Sequence, residues 1–79
     1  MTVNVKRPDG TFDIYPHQRV GAGHEEYIYD IVGVTLSVTR LVFRSKGDES
    51  PSRTEEAAYY HRGEWTSVRK GDSQTVPAN

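Results

Sequence analysis

The stretch Tyr27 to Phe43, YIYDIVGVTLSVTRLVF, is the longest apolar run in the chain and the feature that most limits how it can fold. At about 3.3 Å per residue, a straight strand of that length would reach roughly 55 Å. A globule of this size has a radius of gyration of about 12 Å and a width of roughly 25 Å. The run therefore has to bend or fold back. Asp30 and Arg40 interrupt it, and a membrane span needs about 18 or more apolar residues with few charges. The run reads as core, and no membrane partner is expected.

Parity predicts which face is buried. Ile28, Val32, Val34, Leu36 and Val38 share one face, which turns Tyr27 and Tyr29 to the other. Past Arg40 the apolar residues are Leu41 and Phe43, of opposite parity. That phase slip predicts a tight turn or bulge at Ser37 to Arg40, rather than at Gly33, where the phase is unbroken. Ile31 to Thr39 carries no charge and no proline. On a sheet edge such a window invites aggregation, so it is expected at the centre of a sheet.

The aliphatic residues are nine valines, three isoleucines and two leucines. Side chains branched at Cβ suit a pleated surface better than a helix, which predicts an all-β fold. The expected architecture is a small antiparallel sheet curled towards a barrel, or a small sandwich, of five or six strands. One domain covers residues 1–72, with a flexible tail at 73–79. Around Pro8-Asp9-Gly10 a hairpin is predicted with an even loop, placing Val3, Val5, Phe12 and Ile14 on one face. Residues 16–26 read as a connecting loop, and 44–56 as a polar one. The segment from Ala57 to Gly71 is expected to form a hairpin turning at Arg62-Gly63, with Tyr60 across from Trp65 and Ala57 across from Val68. The alternative is an α+β fold with one short helix near 52–62, capped by Ser52 and Glu55 and stopped by Gly63.

Composition narrows the function. With no cysteine, disulfides and cysteine-based zinc sites are excluded. Ten basic against eleven acidic side chains give a net charge of −1, which disfavours a general nucleic-acid or membrane-surface binder. The N-terminus lacks the apolar core of a secretory signal, so a cytoplasmic protein is expected. The hydrophobic share of 34% is low, so the core consumes most apolar residues and leaves little for an enclosed substrate pocket.

Three places invite chemistry. VGAGHEEY, Val20 to Tyr27, resembles a phosphate loop only in its Gly-x-Gly, and its two glutamates are expected to repel a phosphate. The histidines His17, His24 and His61 show no metal-binding spacing, so neither metal nor cofactor is expected. No nucleophile elbow is present, and the chain is not expected to be an enzyme. The third signal is five tyrosines, one tryptophan and seven arginines in so short a chain. Such residues concentrate at interface hot spots. Tyr27, Tyr29, Arg40, Tyr59, Tyr60, Arg62 and Trp65 are the candidate binding residues, although a tryptophan in a small domain is more often core.

These features point to a non-catalytic protein-interaction domain, of the kind common among small prokaryotic or phage accessory and inhibitor proteins. Its partner is another protein, or a second copy pairing through a strand edge at Val3 to Arg7 or Trp65 to Arg69. The alternative is a single-stranded nucleic-acid-binding β domain, with aromatic rings stacking bases and arginines neutralising phosphates. A metal-dependent hydrolase ranks last.

Overall fold

A computed structural model describes residues 2–78, which form eight β-strands and no helix. The sequence reading of an all-β chain holds, with more strands than the five or six expected. They make two antiparallel sheets of four strands.

The first hairpin joins β1 (Val3–Lys6) to β2 (Phe12–Tyr15). The Gly10 amide donates to the Arg7 carbonyl at 3.0 Å, the Arg7 amide donates to the Thr11 carbonyl at 2.8 Å, and Gly10 takes φ +90°. This is the pattern of a three-residue loop, a turn followed by one left-handed residue. Glycine fits there because it has no Cβ to clash. The Asp9 carboxylate accepts hydrogen bonds from the Thr11 hydroxyl at 2.6 Å and amide at 2.9 Å, which hold its carboxyl below the usual range. The loop is odd, not even, so the expected register is corrected: Val5 faces Asp13 and Asn4 faces Ile14. Phe12 and Ile14 thereby leave the face of Val3 and Val5.

The second sheet contains β3 (Gln18–Val20), β4 (Gly23–Val32), β5 (Thr35–Phe43) and β6 (Arg53–Tyr60), in that order. The long apolar run does fold back, but at Gly33-Val34, where Val32 faces Thr35 and Gly33 takes φ +65°. A Gly-x pair with positive φ only at its first position is the two-residue turn whose twist suits a hairpin. Such a turn inverts parity. Ile31 therefore pairs with Leu36, and Tyr29 with Val38. Tyr27 and Tyr29 join Leu36 and Val38 on the inner face, while Ile28 and Val32 face outward. β5 itself is unbroken at the expected turn or bulge, Ser37 to Arg40, but its pairing with β6 shifts register between Val38 and Thr39. Val38 faces Ala58 and Thr39 faces Glu56, leaving Ala57 as the extra residue. Ile31 to Thr39 lies on β4 and β5, the two inner strands, but β3 pairs only with Gly23 to Glu25, so Ile31 and Val32 pair on one side alone.

After β6 the chain crosses to the first sheet. There β7 (Ser67–Lys70) pairs with β1, and β8 (Val76–Pro77) pairs with β7, giving the order β2-β1-β7-β8. The expected hairpin of Tyr60 with Trp65 and Ala57 with Val68 does not form, and residues 53–60 are strand rather than helix. β1 and β7 are both flanked, so the strand edges suggested for pairing with a partner are interior. Within 73–79, Val76–Pro77 is strand, and Asn79 lies outside the described residues, as does Met1.

Both sheets contribute to one core. Val3, Val5 and Val68 come from the first, Tyr27, Leu36, Val38 and Tyr60 from the second, and Trp65 from the crossing segment. The extents are 37 × 20 × 18 Å. The ten residues of β4 alone span about 33 Å, whereas the first sheet's strands hold at most four residues.

Candidate functional site

The seven candidate residues do not share a surface. Tyr27 is 5% exposed, Tyr60 5% and Trp65 3%, all within the core. The two-residue turn at Gly33-Val34 turned the ring of Tyr27 inward, against the ring of Tyr15 at 5.4 Å. Tyr29 is half-buried and packs on the same core. The proposal that Tyr27 and Tyr29 face a visitor is therefore corrected. Arg40 is occupied as well. Its Nε donates to the Tyr27 hydroxyl at 3.0 Å, and a second nitrogen donates to Glu55 at 3.3 Å. These contacts raise its already high pKa, the Tyr27 hydrogen bond most. The Trp65 indole donates to the Val34 carbonyl at 2.9 Å, which satisfies the one polar group of a buried ring. Only Tyr59 and Arg62 remain exposed. Tyr59 meets His61 edge-on at 5.0 Å.

The hairpin loop instead builds a different surface on the outer face of the first sheet. Register sets two rungs there, Phe12–Lys6–Ser67 and Ile14–Asn4–Arg69. With Thr75 these residues line a concavity of about 530 Å³. Phe12 is 56% exposed and Ile14 63%, a large uncovered area for two side chains on neighbouring rungs. The charged residues lining it, Lys6 and Arg69, are both cations. The Lys6 ammonium lies 6.0 Å from the centre of the Phe12 ring. Arg69 donates to the Gly71 carbonyl at 2.9 Å and reaches the exposed Asp72 at 3.8 Å. At the middle of the lower rung the Asn4 amide oxygen is buried without a hydrogen-bond partner, at a cost on the order of 1–3 kcal/mol. The sequence signal for this face was the Pro-Asp-Gly loop itself, whose chemistry selects three residues and hence this register.

At the other sheet's outer face, His24 stacks on Phe43 with centroids 4.4 Å apart, and on His17 at 5.3 Å. Glu26 lies 3.4 Å from His24 and 3.7 Å from His17. His61 is not part of this group. Among the described residues, no three histidines, aspartates or glutamates are grouped so as to hold a metal ion. Among the described residues no helix is long and apolar enough to cross a membrane.

Comparison with protein-family models, with curated proteins and with solved structures finds no match to this chain.

Proposed function

We propose that this protein is a non-catalytic recognition domain, an accessory or inhibitory protein that acts by occupying a partner protein. The two sheets serve as a small sandwich-like scaffold for one docking face, the outer surface of β2-β1-β7. The observation that carries the reading is the pair Phe12 and Ile14, largely uncovered on a concave face whose charged lining residues are Lys6 and Arg69. An isolated exposed apolar residue needs no explanation, but two adjacent ones in a hollow favour an occupant. The charge sign favours a segment with one apolar anchor and a neighbouring carboxylate, the anchor desolvating Phe12 and Ile14 and the carboxylate meeting Lys6. A backbone N–H that turned the Asn4 amide outward would relieve its missing hydrogen bond.

The test is a pull-down with the wild-type chain and with the double variant Phe12→Ser/Ile14→Ser, at low and high salt. Both side chains are exposed, so the variant keeps its melting temperature. A protein retained by wild type in both salts and lost by the variant is the expected result. Equal retention by the variant, or recovery of nucleic acid alone and only at low salt, overturns the reading, because phosphate contacts weaken steeply as salt rises.

A further inference from the structure

We propose that the cleft between the β3–β4 turn and the β5–β6 loop binds a compact phosphate group. The cleft is lined by His17, Gln18 and Arg19, by Gly21 to His24 of the turn, and by Lys46 and Gly47, around about 500 Å³. That is room for a phosphomonoester. Cross-strand pairing puts Arg19 directly beside His24. Arg19 and Lys46 form no ion pair among the described residues. Both are exposed.

The nearby carboxylates are turned to other work. Glu25, on the opposite face of β4 from His24 and Glu26, accepts a hydrogen bond from Gln18 at 3.0 Å. Glu26 sits against the two imidazoles. Asp48 accepts from the Ser45 hydroxyl at 2.8 Å and amide at 3.1 Å. None of the three lines the cleft. No carboxylate therefore lines the cavity wall, but Glu26 lies directly behind the two imidazoles, so attraction for an anion rests on Arg19 and Lys46. The lining leaves a guanidinium suited to paired oxygens, an ammonium point charge, and open space beside the main chain at Gly21, where no atom lies within 4 Å of a Cβ position.

The test follows backbone amides by NMR during titration with inorganic phosphate at constant ionic strength, with chloride as control. Expected are saturable shifts confined to Gly21, Ala22, Gly23 and Gly47, absent with chloride. The double variant Arg19→Gln/Lys46→Gln, checked for an unchanged melting temperature, is expected to bind at least about tenfold more weakly, the size of one lost charge-assisted contact. Shifts that grow linearly without saturating, that chloride reproduces, or that the variant retains at full affinity overturn the proposal. A single-stranded oligonucleotide that binds no more tightly per phosphate than the inorganic ion supports a compact ligand. Much tighter oligonucleotide binding overturns it in favour of a surface that tracks a backbone.

Discussion

The most consequential single side chain for the interior is Asp13. The odd loop puts it on the face of Val3 and Val5, where a carboxylate is costly unless hydrogen-bonded. Tyr60, from the other sheet, donates its hydroxyl to Asp13 at 2.5 Å, and Arg7 donates Nε to the same oxygen at 2.8 Å. The Tyr15 hydroxyl completes the chain, 2.6 Å from that of Tyr60. Burial raises the Tyr60 pKa, and the hydrogen bonds to Asp13 and Tyr15 raise it further, because ionisation would remove the donor. A raised value means the unfolded chain loses this proton first. The associated stability is complete below the ordinary tyrosine value of 10.0 and is lost as pH rises beyond it. Tyr60→Phe is expected to cost about 1–3 kcal/mol at neutral pH, because Asp13 loses a donor. The same variant is expected to show a shallower loss of stability between about pH 9 and 11 than wild type. Urea unfolding across that range reads both effects, and parallel alkaline slopes would show that Tyr60 keeps no perturbed proton.

Turns, more than strands, separate what could be read from the sequence from what could not. The β-branched aliphatics specified strand, and the length of Tyr27 to Phe43 required a reversal. The change of apolar parity past Arg40 is no break in β5: Leu41 and Phe43 lie on its outer face, and the bulge beside Val38 and Thr39 belongs to β6, at Ala57. The position of the reversal was missed because Ile28, Val32, Val34, Leu36 and Val38 keep one parity only along a straight strand. Across Gly33-Val34 the alternative set, Tyr27, Tyr29 and Ile31 with Leu36 and Val38, is equally regular. Counting apolar residues cannot choose between them, whereas the chemistry of a Gly-x turn can. Parity across Gly33-Val34 decides that Tyr27 and Tyr29 are core, and parity across Pro8-Asp9-Gly10 decides that Phe12 and Ile14 face outward. Pairing of β7 with β1 was not legible at all, since nothing local in Ser67–Lys70 names a partner over sixty positions away. Gly33 is the decisive element, so Gly33→Val, forcing a β-branched residue to φ +65°, is expected to cost roughly 1–2 kcal/mol or more. Gly33→Asn is expected to cost clearly less, since asparagine tolerates that region. Chemical denaturation of the two variants decides it, and equal losses would point to something other than backbone strain.

Taken as a whole, the molecule is longer than its chain length alone suggests, with a radius of gyration of 13.2 Å against about 12 Å for a typical domain of this size. Two long central strands set that length, and short strands in the first sheet pair with core residues over only part of their inner face. Further along that face the inward positions hold the Tyr27–Arg40–Glu55 hydrogen bonds. The apolar core is correspondingly small, and its link between sheets is the crossing segment after β6. Trp65 sits in that segment, buried between residues of both sheets, and its indole is tied to the β4–β5 turn through Val34. Such an arrangement makes the two sheets one cooperative unit rather than two halves that melt apart. Trp65→Ala is expected to remove about 3–5 kcal/mol, a large share of the roughly 5–15 kcal/mol that holds a typical domain. Trp65→Phe retains much of the ring but not the hydrogen bond, and is expected to lose less. For the phenylalanine variant, hydrogen exchange at amides of β1 and of β5 should accelerate by the same factor, because both open in one event. Faster exchange in β1 with β5 unchanged would mean that the sheets unfold independently and that Trp65 belongs to one of them alone.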